Sequence, residues 1–179
     1  IEQTDDWVET GAICRQVDAL QSASIARSVP LLAAALPSVG HFQTRNRGTL
    51  GGSVAHADPS AEIPLSLLTL GGAIVLASRA RRRTVQAGAF FAGILTTVRE
   101  PNELLVGLRW PVARPGTGYA FEEIAQRHGD FAITAVAAAV EISAGGTLNA
   151  ITLGLGGVED RPILADTKAF IGARAGPET

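Results

Sequence analysis

The feature that most constrains the fold is a polar stretch at residues 40–58, which carries glycines at positions 48, 51 and 52. It is too polar and too rich in glycine to predict a regular helix or strand, and too long for a simple turn. Loops of this length in compact domains are often functional. We therefore predict a functional loop, enclosed by regular elements on both sides.

Helices are predicted on both sides of this loop. Apolar residues three to four positions apart over residues 24–36 predict a helix, capped by a serine at 22 or 24, that Pro30 kinks or divides into two segments. After the loop, Asp58 and Pro59 predict an N-cap and a first helical residue. That helix is expected to continue to residue 70, where two glycines end it.

The remaining sequence is mostly β. Strands are predicted over residues 6–14, 73–77, 83–86, 103–110, 119–125 and 148–155. Residues 132–142 fit a helix or a buried strand, and their β-branched second half favours a strand there. A further helix is predicted to start over residues 166–173.

The order of these elements indicates an α+β fold, because helices and strands alternate without the regular rhythm of a doubly wound sheet. The proline- and glycine-rich stretch at residues 111–118 predicts a domain boundary. We therefore expect one domain over residues 1–111 and a second over residues 118–179.

Composition excludes several functional classes. The net charge of −2 provides no basic field for nucleic acid or an anionic membrane, and the arginines at 79–83 fit a solvated hairpin turn. No apolar stretch approaches the roughly 20 residues of a membrane span. The single cysteine, Cys14, allows neither an internal disulfide nor an iron–sulfur cluster, so a reducing cytoplasm is expected. The three histidines match no zinc spacing, and neither a metal site nor a catalytic residue is predicted.

The loop carries groups suited to a dinucleotide. Its glycines allow backbone N–H groups to approach a pyrophosphate, and the hydroxyls of Thr49 and Ser53 add donors. Asp58 and Glu62, four residues apart on one expected helix face, provide acceptors for ribose hydroxyls. The stretch matches neither the P-loop nor the Rossmann pattern.

The arrangement of residues 45–64, R-N-R-G-T-L-G-G-S-x-A-H-A-D-P-x-A-E-x-P, closely resembles the second flavin-binding segment of the medium subunits of molybdenum hydroxylases. These include carbon monoxide dehydrogenase medium chains and the FAD subunits of bacterial xanthine dehydrogenases. The resemblance continues in order through F-F-x-G at 90–93, E-L-L-V-G-L-R-W-P at 103–111, R-H-G-D-F-A at 127–132 and L-G-L-G-G-V at 153–158. It implies the second subdomain of a PCMH-type, vanillyl-alcohol oxidase-like FAD domain, followed by a small α+β C-terminal domain.

The resemblance also implies site residues. The T-[IL]-G-G turn would hold the FAD pyrophosphate, Glu62 or Asp58 would face the adenosine ribose, and the backbone near Val106 would lie by the flavin. The candidate cofactor-binding residues are Gly48, Thr49, Leu50, Gly51, Gly52, Ser53, His56, Asp58, Glu62 and Val106. Gly51→Val or Gly52→Val is expected to abolish flavin binding while preserving folding.

The implied function is electron transfer. A large molybdopterin subunit would oxidise the substrate, a small 2Fe–2S subunit would relay electrons, and FAD in this chain would pass them to NAD, oxygen or a quinone. The alternative is a non-catalytic remnant that keeps the fold and binds no flavin; a cell-wall precursor reductase is a more remote rival.

Two departures from the family pattern bear on these expectations. Relatives often carry a lysine where this chain has Glu122 and Glu123. Relatives also have an earlier A-G-G-x-S loop, which is absent before residue 40 here. We therefore expect the sequence to be an internal fragment or a truncated product that, alone, holds FAD weakly.

Overall fold

The two larger antiparallel sheets among the described residues are built from successive parts of the chain. The computed structural model describes residues 1–176. The first sheet has the order β1-β2-β7-β3-β4 and comprises β1 (Glu2–Gln3), β2 (Trp7–Gly11), β3 (Ala73–Ala77), β4 (Arg82–Gln86) and β7 (Leu104–Pro111). The second has the order β11-β10-β9-β8 and comprises β8 (Thr117–Ala125), β9 (Ala132–Ile142), β10 (Leu148–Gly156) and β11 (Ile163–Leu164). A separate two-stranded ribbon joins β5 (Phe91–Gly93) to β6 (Thr96–Thr97).

Within the described residues, six short α-helices lie among these strands: α1 (Gln16–Leu20), α2 (Ala23–Ser28), α3 (Pro30–Ala35), α4 (Phe42–Arg47), α5 (Leu50–His56) and α6 (Glu62–Thr69). The mixture confirms the α+β prediction. The break expected at Pro30 is real: Val29 leaves the helical conformation, and Pro30 is the first residue of α3, where its missing N–H costs nothing. Ser22 caps α2 by accepting a hydrogen bond from the N–H of Ile25 at 3.3 Å.

The prediction that residues 40–58 contain no regular element is wrong, because α4 and α5 both lie there. Tertiary contacts stabilise these helices despite their composition. The Arg45 guanidinium donates to the backbone oxygens of Val39 and Gly40 at 2.8 and 2.7 Å. Leu50 and Val54 are fully buried, so α5 has an apolar side that packs into the core.

Two predicted helix starts are also wrong. The helix after the loop begins at Glu62, and Asp58 instead closes a turn in which its Oδ1 accepts from the N–H of Ser60 at 2.8 Å. Asp58 and Glu62 therefore do not share a helix face. Residues 166–173 form no α-helix, because the segment around a 3₁₀ turn (Lys168–Phe170) bonds to the start of β10, with the N–H of Leu148 donating to the Ala173 oxygen at 2.9 Å.

Helix α6 is buried along its whole length and connects the two halves of the core. Ile63 and Leu67 pack with the helices and the first sheet, whereas Leu65 packs against Ala135 and Ala137 of β9. The contact with β10 is close enough that a Cβ on Gly154 would overlap the Thr69 hydroxyl. This packing fixes the position of Glu62, the first residue of α6.

The aromatic core of the first half contains Trp110 and Phe90, both fully buried. The indole Nε1 of Trp110 donates to the Thr10 hydroxyl at 3.1 Å, which satisfies its polar atom. Trp7, the first residue of β2, is only half-buried. None of the helices within residues 1–176 is both long and apolar enough to cross a membrane.

Candidate functional site

A cleft of about 540 Å³ lies between the α4–α6 region and the turn that joins β8 to β9. Its walls thus come from both parts of the chain. The polar side chains that line it belong to Gln16, Thr44, Ser53, His56, Asp58, Glu62 and Asp130. Apolar contact surface is added by Val39 and by Phe131, a residue that is 67% exposed.

Half of the sequence-predicted cofactor residues meet at this cleft. Those that line it are Gly52, Ser53, His56, Asp58 and Glu62. Those that do not are Gly48, Thr49, Leu50, Gly51 and Val106. These five residues lie beside the cleft or within the fold. Most of them make backbone or capping contacts that position the residues that line the cleft.

The backbone of the T-L-G-G turn docks onto the segment that follows β2. The N–H of Leu50 donates to the Cys14 oxygen at 2.9 Å, and the N–H of Gly51 donates to the Ala12 oxygen at 3.0 Å. A Cβ on Gly51 would lie 2.6 Å from both the Cα and the carbonyl oxygen of Ala12. The expectation that this glycine leaves space for a phosphate, and that Gly51→Val preserves folding, is therefore corrected: protein backbone occupies that space.

Gly52 differs from its neighbour because it is exposed and lines the cleft. Its N–H donates to the Thr49 hydroxyl oxygen at 2.9 Å, the N-cap bond of α5. A Cβ here would meet only that side-chain oxygen, at 2.8 Å. The N–H groups of Leu50, Gly51 and Gly52 thus all have protein partners, and the expected nest of free N–H donors is not formed.

Val106 lies outside the cleft. Its carbonyl oxygen accepts from the N–H of Ala12 at 3.0 Å, and it is the extra residue of a bulge where the pairing of β7 with β3 shifts. Val106 is 36% exposed, and the nearby residues Leu104 and Ile13 are 71% and 85% exposed. The bulge therefore presents an apolar surface at this end of the first sheet.

Glu62 is a buried carboxyl group at the cleft, with 5% of its surface exposed. Burial raises its pKa from 4.5 to about 7; the N–H of its own backbone opposes this change, and the charges of Glu123 and Asp58 increase it. The group therefore titrates near neutral pH. The ionised carboxylate can only accept hydrogen bonds from a ligand, whereas the protonated carboxyl group can also donate one.

Glu123, the second of the two adjacent glutamates on β8, is half-buried. Burial also raises the pKa of Glu123, whereas a hydrogen bond with Ser38 and the proximity of His128 lower it. Within residues 1–176, its buried Oε2 atom has no hydrogen-bond partner. Glu123 does not line the cleft, but its charge acts on Glu62 and helps to raise the pKa of that group.

The turn between β8 and β9 is held against α4. Gly129 has a φ of +87°, and a Cβ there would lie 2.6 Å from Nδ1 of His41. Arg127 and Asp130 form an ion pair at 3.0 Å across the turn. The turn belongs to the R-H-G-D-F-A motif, and its residues Gly129, Asp130 and Phe131 line the cleft, although none of them was among the predicted cofactor residues.

Gln16 is one of the cleft residues that the sequence did not predict. It is 5% exposed and stands at the start of α1, beneath Gly48. A lone glutamine at the start of a short helix carries no signal for a site. Its position depends on a tertiary contact, the hydrogen bond from its N–H to the Gly48 oxygen at 3.0 Å.

A larger groove, of about 800 Å³, lies along the connection between β7 and β8. It is lined by Trp7, Pro111, Arg114, Tyr119 and Glu141 among others, and it contains none of the predicted site residues. The smaller cleft is the candidate site because it gathers the motif residues. No group of three or more potential metal ligands occurs among residues 1–176.

Comparison with known families identifies the class of protein. A family described as the FAD binding domain in molybdopterin dehydrogenase matches residues 1–113, and the CO dehydrogenase flavoprotein C-terminal domain matches residues 119–179. The first match covers more than half of the chain. The chain therefore belongs to the FAD-binding medium subunits of the molybdenum hydroxylase family.

Individual relatives agree with this assignment. The chain is 35% identical to the glyceraldehyde dehydrogenase medium chain of Sulfolobus acidocaldarius, over 88% of this chain and 56% of the relative. It is 36% identical to the carbon monoxide dehydrogenase medium chain of Hydrogenophaga pseudoflava, over 87% and 54%. The chain thus spans a little over half the length of these relatives.

Solved structures share the fold. A carbon monoxide dehydrogenase from Hydrogenophaga pseudoflava, which lacks the Mo-pyranopterin moiety of its molybdenum cofactor, superposes with a TM-score of 0.94 at 33% identity, covering 99% of this chain and 62% of its own. Quinoline 2-oxidoreductase from Pseudomonas putida 86 gives 0.91 at 36% identity, covering 98% and 61%. The PCMH-type FAD domain followed by a CO dehydrogenase-like flavoprotein domain, expected from the sequence, is confirmed.

Proposed function

We propose that the cleft between α5, α6 and the β8–β9 turn holds part of an FAD molecule, and that this chain serves as an electron-transfer component of a molybdenum hydroxylase. The observation that carries the proposal is the convergence of Gly52, Ser53, His56, Asp58 and Glu62 on one cleft. These residues come from the motif that the chain shares with its family. Residues that bind one cofactor must lie on one surface, and these five do.

The donor and acceptor set fits a dinucleotide. Gly52 offers a surface without a side chain, and the adjacent hydroxyl of Ser53 can donate to a phosphate oxygen. Glu62 and Asp58 can accept from sugar hydroxyls, and the exposed ring of Phe131 can pack on a planar group. Bound FAD supplies the redox chemistry, and the protein positions and tunes it.

The other predicted cofactor residues support this surface. Leu50 and Gly51 fasten the turn to the residues after β2, Thr49 caps α5 below Gly52, and Gly48 makes room for Gln16. The bulged backbone at Val106 offers an apolar surface for the flavin end. We assign all ten residues to the FAD site, these five chiefly as its framework.

The proposed partners are a large molybdopterin subunit and a small 2Fe–2S subunit, and the acceptor is NAD, oxygen or a quinone. Relatives named as medium chains or medium subunits support a multi-subunit assembly.

We also propose domain limits of 1–111 and 118–179, supported by the division of strands between two sheets. A cytoplasmic location is proposed as well, supported by the single cysteine.

Native mass spectrometry of the protein purified from its own cells tests the proposal. A species that contains this chain, FAD, and a large and a small partner is the expected result. NAD, oxygen or a quinone is then added separately to complex that has been reduced under anaerobic conditions, and the recovery of oxidised-flavin absorbance identifies the acceptor. A protein without flavin and without partners would refute the proposal and favour a remnant that keeps only the fold.

A further inference from the structure

The cleft contains a buried hydrogen-bond acceptor that the fold leaves without a donor. Gln16 is 5% exposed, and its Oε1 atom is buried and has no hydrogen-bond partner within residues 1–176. Buried polar atoms almost always have a partner, because an unsatisfied one costs about as much as a lost hydrogen bond. An orphaned acceptor that lines a cleft therefore indicates a ligand that donates to it.

The surrounding structure fixes the position of this side chain. The Gln16 N–H donates to the Gly48 oxygen at 3.0 Å, and a backbone bridge pairs Arg15 with Thr49. A Cβ on Gly48 would lie 2.6 Å from Gln16 Oε1 and 2.9 Å from the Thr44 oxygen. The absence of a side chain at position 48 thus admits the amide, which makes this motif glycine a support for Gln16.

We propose that Gln16 is a direct cofactor-binding residue: its side-chain oxygen accepts a hydrogen bond from an O–H or N–H group of the FAD in this cleft. This inference rests on the proposed function. FAD carries such donors on its sugars and its rings. A neutral acceptor also suits a cleft that already contains the carboxyl groups of Asp58, Glu62 and Asp130, because a further negative charge would repel the phosphates.

Ser66 provides a matched control. Its Oγ atom is also buried without a hydrogen-bond partner in the described part of the chain, and the residue has no exposed surface, but it does not line the cleft. If the orphaned oxygen of Gln16 were only a packing defect, the two residues would respond alike. A ligand contact predicts different responses.

The experiment compares Gln16→Leu and Ser66→Ala in the subunit, purified as its own cells make it and stripped of FAD. Fluorescence quenching gives the Kd for added FAD, and thermal unfolding gives the Tm without FAD. Gln16→Leu should raise the Kd about tenfold, since one net hydrogen bond is worth about that factor. It should leave the Tm unchanged or higher, because the leucine removes an unsatisfied acceptor; Ser66→Ala should not change the Kd.

A Kd within twofold of wild type for Gln16→Leu would overturn the inference, and so would a lower Tm with unchanged affinity, which marks a structural role. Failure of the wild-type protein to bind FAD at all would instead refute the proposed function. If Gln16→Leu does not fold, the side-chain amide resonance of Gln16 in ¹⁵N-labelled wild type decides. FAD should shift that resonance; an unshifted resonance at saturation overturns the inference.

Discussion

Replacing Glu62 with glutamine should make the FAD-free protein more stable at neutral and basic pH. The pKa of this buried carboxyl group is about 7, against 4.5 for an exposed glutamate, with burial as the main cause. Between these two pH values the folded state binds more protons than the unfolded state. The free energy of unfolding therefore falls as the pH rises through this window, and above it the loss is constant.

The magnitude follows from the same values. Each unit of pKa corresponds to about 1.4 kcal/mol, so ionised Glu62 costs the folded protein about 3 kcal/mol relative to its protonated form. Glu62→Gln keeps the size and shape of the side chain but carries no charge at any pH. The variant should therefore match wild type near pH 4.5 and exceed its stability by up to about 3 kcal/mol at pH 8.

Urea unfolding of both proteins between pH 5 and pH 8 tests this expectation. The control is Glu122→Gln, an exposed glutamate on β8, whose stability curve should run parallel to that of wild type. The difference between Glu62→Gln and wild type should grow with pH and level off above about 7. A difference that stays constant with pH would refute the reasoning, because the penalty would then not come from ionisation.

The same substitution should weaken FAD binding at pH 8, because an ionised carboxylate accepts hydrogen bonds more strongly than an amide oxygen. Stability and affinity would thus change in opposite directions. Such a trade-off is typical of a residue retained for function at a cost to the fold. Increased stability without any change in FAD affinity would show that Glu62 does not contact the cofactor.

Two further predictions concern a pair of glycines and a buried ion pair. Gly51→Ala should lower the free energy of unfolding, measured with urea, by about 3 kcal/mol, because its Cβ would meet the Ala12 backbone. Gly52→Ala should lower the free energy of unfolding by only about 1 kcal/mol but should weaken FAD binding. Equal stability losses in the two variants would contradict this prediction. Arg83 donates two hydrogen bonds to Glu103 and lowers the pKa of its carboxyl group to about 2. Ionised Glu103 should therefore stabilise the fold above pH 4.5, and this contribution should be lost as the pH falls towards 2. The Tm of Glu103→Gln should therefore vary less with pH on the acid side than that of wild type. The control, Glu100→Gln at an exposed position, should change this dependence less. An acid side that is unchanged in Glu103→Gln would show that the ionisation of Glu103 does not contribute to stability there.

Most of the longer strands were predictable from the sequence because each of these carries its own local signal, whereas the two- and three-residue strands β1, β5, β6 and β11 were not predicted. The apolar run at Ala73–Ala77 and the alternating residues of Thr117–Ala125 appear where the patterns place strands, within one or two residues. The break at Pro30 was equally local, since proline at the first position of a helix needs no neighbour to explain it. The long strand β9 was ambiguous because its alanines suit either structure, and pairing with β8 and β10 decided it.

The helices of the glycine-rich stretch were not predictable, because their stability comes from distant residues. Helix α5 contains two glycines in seven residues, which is unfavourable in an isolated helix. It forms because Thr49 caps it, Leu50 and Val54 are buried, and the turn before it bonds to residues near position 12. Local propensity contains none of these contacts.

The same contacts explain why a motif does not reveal the role of each of its members. Three glycines stand within five residues, and the structure gives each a different neighbour: the Gln16 amide at Gly48, the Ala12 backbone at Gly51 and the open cleft at Gly52. Of these three glycines, only Gly52 lines the cleft. The first two are required so that the chain can pass close to itself, and this packing is what holds Gly52 and the orphaned oxygen of Gln16 at one surface. A pattern shared by a cofactor-binding family can therefore reflect constraints of packing as much as contact with the cofactor, and variants at positions 48 and 51 would lose FAD through loss of the fold.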